Sequence, residues 1–175
     1  YFLCFYACIL LIYYLIPRKT QWVFLLMVST AFYLLTGNGW LILYPAVASL
    51  TAYISMRFMT GTEDKKKRSL ALLLSAALLI GALIVLKYIN FGINTVNAVT
   101  SLWHPLGDLL KGFHFLVPLG ISFYTFSILG YVVDVYNGIA APQKNFFKMA
   151  AYGMYFPSIL SGPILKYREE GEQFF

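Results

Sequence analysis

The chain has 175 residues, of which 60% are hydrophobic and only 11% are charged, and its mean hydropathy is +0.72. Soluble domains carry about 25% charged residues, so this balance excludes an ordinary soluble enzyme and indicates an integral membrane protein whose partner is the lipid bilayer. The net charge of +6 therefore predicts basic cytoplasmic loops, and we expect no nucleic-acid partner.

The uncharged runs predict an all-α, polytopic transmembrane protein with about five to six spans. A helix needs about 20 apolar residues to cross a bilayer. Residues 20–56 are uncharged over 37 positions, so the turn signal at 36–39 is predicted to divide them into two helices. Residues 1–175 are interpreted as a single transmembrane domain fragment, with predicted spans at about 1–17, 21–35, 40–59, 69–88, 113–136 and 149–165.

Charge predicts how these spans are oriented in the cell membrane. The loop 61–68 contains four consecutive basic residues, Lys65 to Arg68, and is predicted to be cytoplasmic. The alternation of the spans then places residues 90–112 in an outer loop, with an amphipathic piece within it. The last span, 149–165, is interrupted by Pro157 and Pro163, so it is predicted either to cross the membrane or to form a broken, re-entrant hairpin.

Motifs of soluble enzymes are absent from the sequence, which contains no GxGxxG, P-loop, HExxH or CxxC pattern. Cys4 and Cys8 lie four residues apart in the first apolar run. A disulfide or a metal pair is open there, but two core cysteines that face lipid or another helix are predicted. His104 and His114 have no third ligand at helical spacing, so we predict no metal site and no catalytic role for them.

The stretch from Pro118 to Tyr167 holds the candidate functional residues. Asp134 lies near the inner end of the fifth span, where an acidic group either relays protons or contacts substrate, or pairs with Lys144 or a backbone donor. A further group of candidates combines small residues with prolines. Small residues permit close helix approach, and prolines expose carbonyls at membrane depth, so this group has two possible roles, helix packing or lining of a cavity. Its members are Pro157, Ser158, Ser161, Gly162 and Pro163.

Three runs in this stretch resemble the membrane-bound O-acyltransferase family, and most closely its bacterial branch of polysaccharide O-acetyltransferases and teichoic acid D-alanyl transferases. They are LGISFYTF at 119–126, YVVDVY at 131–136 and FPSILSGPI at 156–164. The resemblance implies a ring of helices around a thin core of broken helices that a tunnel crosses, of which this chain is expected to form the N-terminal half. It also implies tunnel- or substrate-lining roles for Tyr124, Asp134, Pro157, Ser161, Gly162 and Pro163.

The resemblance further implies transfer of a small acyl group, most simply acetyl, to a hydroxyl of an extracytoplasmic polysaccharide or cell-envelope glycan. The donor is expected to be a thioester (acyl-CoA or an acyl carrier protein) on the cytoplasmic side, with no bound cofactor and with a periplasmic or extracellular partner protein in some systems. The family uses a membrane-embedded histidine as the base, but His104 and His114 precede the matching motifs. We therefore assign no catalytic residue, and expect an inactive fragment of a longer protein.

A different class of function is also consistent with the residues alone. Broken helices around a site at the middle of the membrane are typical of transporters, so a transporter or flippase of a small or lipid-linked substrate is the alternative.

Overall fold

The computed structural model describes residues 2–35, 39–101, 118, 120–159 and 167, and these residues form helices and no strand. The all-α prediction is therefore confirmed. A short 3₁₀ turn at Gly39–Ile42 precedes the third helix. The helices are α1 (Phe2–Leu15), α2 (Arg18–Leu35), α3 (Leu43–Thr60), α4 (Lys65–Ser101), α5 (Ile121–Tyr136), α6 (Phe146–Gly153) and α7 (Phe156–Ile159).

Two described segments are long and apolar enough to cross a membrane, Gly39–Thr60 and Lys65–Ile89. Helix α5 is apolar but has only 16 residues. Within the predicted last span, α6 ends at Gly153 and α7 begins at Phe156, while 160–165 lie outside the described residues. The fold is thus that of a helical membrane protein, and the number of spans and the re-entrant segment stay predictions.

Helix α4 is longer than the sequence predicted. It continues to Ser101, so residues 90–101, assigned to an outer loop, are helical and continuous with the span before them. The physical reason is that this stretch contains no proline, and its one glycine, Gly92, lies in open space and is tolerated. Residues 102–112 of the predicted loop, with His104, lie outside the described residues, as does His114.

The basic run also belongs to α4 and not to a loop. The helix begins at Lys65, and Asp64 stands at its N-terminal end. An Asp64 carboxylate oxygen accepts a hydrogen bond from the backbone N–H of Lys66 at 2.9 Å, and the Asp64 carbonyl accepts one from the N–H of Arg68 at 3.0 Å. This side chain satisfies one of the N–H groups that a helix leaves unpaired at its start, so the predicted loop 61–68 shortens to about four residues.

Helix α5 lies at the centre of the described fold, packed against α3, α4, α6 and α7. Its buried hydrophobic residues recur every three or four positions, as expected for one face of a helix. They are Ile121, Tyr124, Ile128, Tyr131, Val132 and Val135, and none is more than 6% exposed.

A second contact ties the first two helices to α7. The Ser29 hydroxyl on α2 is fully buried and accepts a hydrogen bond from the backbone N–H of Phe156 at 3.3 Å. The Phe156 ring packs against Phe32 and Tyr6, with ring centroids 5.6 and 6.3 Å apart. Helix α7 is therefore held against α2 at its first residue.

Helices α3 and α6 approach most closely at Gly153. A Cβ atom at this position would collide with the Ser49 hydroxyl oxygen and lie 2.9 Å from Cδ1 of Ile128. Small side chains on α3, such as Ala48 and Ala52, allow the backbones to come this near.

Candidate functional site

A cavity of about 600 Å³ lies between α3, α4 and the first turn of α5. Its volume is in the range of small-molecule sites, and its walls are mostly apolar, as such sites usually are. The polar groups in the walls are few. They come from Trp40, Tyr44, Thr51, Tyr124 and Thr125.

Tyr124 is the polar residue that the fold positions most firmly at this cavity. Its side chain is only 3% exposed, and its hydroxyl makes no hydrogen bond within the part of the chain that the structure describes. Tyr33 on α2 and Tyr44 on α3 lie near enough to interact with it electrostatically. Three phenols from three helices thus converge at one end of α5.

Thr125, next to Tyr124, adds a second hydroxyl. It is 3% exposed, and its side chain also makes no hydrogen bond to the described residues. Both residues line the cavity. Their hydroxyls are therefore available to a ligand that binds there.

The start of α5 explains why Tyr124 is held in this place. Pro118 is fully buried, and its carbonyl accepts a hydrogen bond from the N–H of Ile121 at 3.3 Å. Gly120 precedes the helix with a φ of 69°, a left-handed conformation that glycine adopts without strain. Pro118 and Gly120 therefore lead the chain into α5, whose first turn contains Tyr124.

Asp134 lies at the other end of α5, ten residues or about 15 Å further along the helix, and does not line the cavity. Its carbonyl accepts hydrogen bonds from the N–H groups of Ile139 and Ala140 at 2.8 and 3.3 Å. Gly138 has a φ of 74°, and its N–H donates to the carbonyl of Val135 at 3.1 Å. This pair of bonds is a Schellman motif, the glycine-dependent way of ending a helix.

The carboxylate of Asp134 has a different environment from its carbonyl. The side chain is half-buried, and among the described residues it forms no ion pair with Lys144, the pairing considered from the sequence. Lys144 instead contributes its carbonyl, which accepts a hydrogen bond from the Tyr53 hydroxyl at 3.0 Å. The YVVDVYNG run therefore stops the helix through its main chain and leaves the acid unpaired by any described side chain.

A second aromatic group, centred on Tyr131 of the YVVDVY run, fixes the loop after α5. The Tyr131 hydroxyl donates to the carbonyl of Ala141 and accepts from the N–H of Gln143, both at 2.8 Å. Its ring stacks on Tyr167 with centroids 3.7 Å apart, and Gln143 Nε2 donates to the Tyr167 hydroxyl at 3.0 Å. Tyr152 packs edge-on against both rings. These contacts join residues far apart in sequence, so no local pattern predicts them.

The remaining predicted site residues are not brought to the cavity within the described structure. Pro157 is half-buried in α7, which packs on α2 and α5. Ser161, Gly162 and Pro163 lie outside the described residues, so their predicted role is unchanged. The sequence interpretation does not include Thr125 and Tyr44 among the site residues. Thr125 could have been found from the sequence, because it is a hydroxyl residue beside Tyr124 in an apolar run.

Among the described residues, no group of three His, Cys, Asp or Glu side chains is placed to hold a metal ion. The polar chemistry that these residues offer at the cavity is hydrogen bonding by hydroxyl groups and by the indole N–H of Trp40.

The fold and the cavity define a helical membrane protein with an apolar chamber that presents hydroxyl groups. No family model matches the sequence, and no solved structure matches it. Curated relatives do match. The chain is 31% identical over 163 residues to the probable alginate O-acetylase AlgI of Azotobacter vinelandii, covering 93% of this chain and 32% of that protein. It is 29% identical to the Pseudomonas aeruginosa protein of the same name, covering 93% of this chain and 31% of the relative.

A third relative differs in name and source. The teichoic acid D-alanyltransferase of Lacticaseibacillus rhamnosus is 31% identical over 119 residues, which cover 68% of this chain and 25% of that protein. The chain therefore spans about a third of the length of the alginate O-acetylases it matches. These relatives confirm the resemblance to the bacterial branch of the membrane-bound O-acyltransferase family.

Proposed function

We propose that the gene product containing this chain is an O-acyltransferase of the cell membrane that moves a small acyl group, most simply acetyl, to a hydroxyl of an extracytoplasmic polysaccharide or cell-envelope glycan. One observation carries the proposal: 93% of the chain aligns at 31% identity with a probable alginate O-acetylase. A teichoic acid D-alanyltransferase among the relatives supports it, because that name also describes acyl transfer to an envelope polymer.

In this proposal the chain supplies part of the wall of the passage, and the cavity beside Tyr124 holds the acyl end of a thioester donor. The apolar walls suit the acyl group and its hydrocarbon neighbours. The hydroxyls of Tyr124 and Thr125 donate hydrogen bonds to the thioester carbonyl oxygen, where negative charge grows as the acceptor hydroxyl attacks. This contact uses two hydroxyls that make no hydrogen bond to the described residues.

The remaining parts of the reaction lie outside this chain in the proposal. The donor is acyl-CoA or an acyl carrier protein that arrives from the cytoplasm, the side to which the proposal also assigns the basic residues 65–68. The base that removes the proton from the acceptor hydroxyl is a histidine elsewhere in the gene product. A periplasmic or extracellular partner protein receives or delivers the acyl group in systems that use one.

The test uses the complete gene product in isolated membranes, supplied with a labelled acyl thioester and with the envelope glycan of a strain from which the gene is deleted. Tyr124→Phe and Thr125→Val each remove one hydroxyl and are expected to lower labelling of the glycan by about tenfold or more. The matched control is Phe126→Leu, because Phe126 is the next residue of α5 and is 45% exposed.

The result also separates the two classes of function. Acyl transfer is supported if labelling depends on the gene product, falls in both hydroxyl variants and persists in the control. No gene-dependent labelling, with uptake or flipping of an unmodified substrate instead, would overturn it in favour of the transporter alternative.

A further inference from the structure

We propose that the groove between α3 and α4 is a binding site for an anionic phospholipid, with the headgroup at Lys67 and one acyl chain along the groove. The groove encloses about 440 Å³ and lies toward the basic end of the two helices. It shares only Thr51 and Leu78 with the walls of the cavity beside Tyr124. The inference is independent of acyl transfer.

The walls of the groove are hydrocarbon in character and open to the outside. Ile54 and Phe58 on α3 are 58% and 51% exposed, and Leu70 and Leu74 on α4 are 56% and 57% exposed. Large apolar side chains that face outward in a row are what a membrane protein presents to lipid tails. The outward-facing rim of the groove is therefore suited to contact with a hydrocarbon chain.

The length of the groove fits a single leaflet. From Lys67 to Leu78 it follows eleven residues of α4, which is about 16 Å at the rise of an α-helix. The hydrocarbon core of a bilayer is about 30 Å thick, so this distance is about half of it. An acyl chain in the groove would then end near the middle of the membrane.

Charge at one end supplies the preference for an anionic headgroup. Lys67 is the one charged residue in the groove wall, and its ammonium forms no ion pair or hydrogen bond within the described residues. Lys65, Lys66 and Arg57 are exposed at the same end. The acids there are Glu63 and Asp64, and one oxygen of Asp64 already accepts from the N–H of Lys66. Positive charge thus exceeds negative charge where a phospholipid phosphate would lie, and basic pockets between membrane helices bind such headgroups.

The complete gene product, purified in detergent, tests the proposal by native mass spectrometry and by thermal unfolding with added lipid. The probes are phosphatidylglycerol, phosphatidylcholine and inorganic phosphate. We expect phosphatidylglycerol to be retained and to raise the unfolding temperature, phosphatidylcholine to do so more weakly, and phosphate alone to have no effect. The proposal would be overturned by equal effects of the two lipids or by an effect of phosphate alone. It would also be overturned if no lipid is retained because another part of the protein fills the groove.

Two pairs of variants localise the site. Lys67→Gln is expected to weaken phosphatidylglycerol binding about fivefold. Lys87→Gln, an exposed lysine twenty residues further along α4 and outside the groove wall, is expected to change it by less than about twofold. Leu74→Trp fills the groove and is expected to abolish retention, while Leu73→Trp, on an equally exposed turn of α4 that does not line the groove, retains it. Equal effects within either pair would contradict the proposed position, and the lysine pair stands even if a tryptophan variant fails to fold.

Discussion

The guanidinium of Arg68, in the first turn of α4, donates a hydrogen bond from Nη2 to the backbone carbonyl of Tyr136, the last residue of α5, at 3.0 Å. The same guanidinium lies over the Tyr136 ring, 5.7 Å from its centroid. The carbonyls of Val133, Asp134 and Val135 accept from the N–H groups of Asn137, Ile139 and Gly138. Every one of the last four carbonyls of α5 therefore has a donor, one of them a cation that also favours the negative end of the helix.

Replacing Arg68 by methionine is expected to destabilise the protein by about 1–3 kcal/mol, because it removes a charged hydrogen-bond donor from a half-buried carbonyl. The midpoint of thermal unfolding in detergent measures this. Lys66→Met is the control, since Lys66 is exposed in the same turn. Equal midpoints for the two variants would show that the contact contributes nothing.

Tyr131→Phe keeps the stacked ring but removes the hydroxyl that binds both Ala141 and Gln143. We expect a loss of about 1–2 kcal/mol, and faster amide hydrogen exchange at Gln143, whose N–H loses its acceptor. Tyr136→Phe is the matched control, because no hydrogen bond of the Tyr136 hydroxyl is found within the described residues. Unchanged exchange at Gln143 in the Tyr131 variant would contradict this account of the loop.

Gly153→Ala is expected to destabilise the packing of α3 against α6 by about 1–3 kcal/mol, because the added methyl collides with Ser49 and Ile128. Ser49→Ala alone should be neutral or stabilising, since the buried Ser49 hydroxyl has no hydrogen-bond partner among the described residues. The double variant should therefore lose less than the sum of the two changes.

Gly130→Ala provides the control for this prediction. Gly130 lies inside α5, and no described residue comes within 4 Å of an added methyl, so the change should stabilise the helix by up to about 1 kcal/mol. A stabilising Gly153→Ala, or a purely additive double variant, would mean that the close approach of the two helices is not as tight as described.

Asp134→Asn is expected to change the free energy of unfolding by less than about 0.5 kcal/mol, because the helix end uses the Asp134 carbonyl and no described residue pairs with its carboxylate. In the proposed acyltransferase the same variant should nevertheless lower glycan acylation, as expected for an acid beside a membrane span that acts in function. Parallel losses of stability and acylation would instead assign Asp134 a structural role.

The sequence predicts the features that depend on neighbouring residues. An all-helical membrane protein follows from the uncharged runs, and the end of α5 is consistent with Asn137-Gly138, a common signal for a helix stop. The contacts that hold the helices together could not be predicted in this way. Arg68 and Tyr136 are 68 residues apart, and Ser49 and Gly153 more than 100, so no local period connects them.

The same distinction between local and long-range features applies to the residues of the candidate site. Tyr124 was predicted from a motif, and it lines the cavity. The hydroxyls of Tyr44 and Thr125, and the electrostatic contact with Tyr33, depend on how α2, α3 and α5 meet. Asp134 was grouped with Tyr124 because both lie in matching motifs, but a helix places them about 15 Å apart.

The central claim is that the cavity beside Tyr124 is where the acyl group passes, and filling that cavity tests it most directly. Ala82→Trp puts a large ring into the cavity from an exposed position on α4. Ala77→Trp puts the same ring at an exposed position of α4 that lines neither the cavity beside Tyr124 nor the groove beside Lys67. Labelled acylation of the glycan by the complete gene product is the readout. The account predicts a loss of about tenfold or more for Ala82→Trp and near-normal acylation for Ala77→Trp, at equal protein levels. Full acylation with the cavity filled would contradict it.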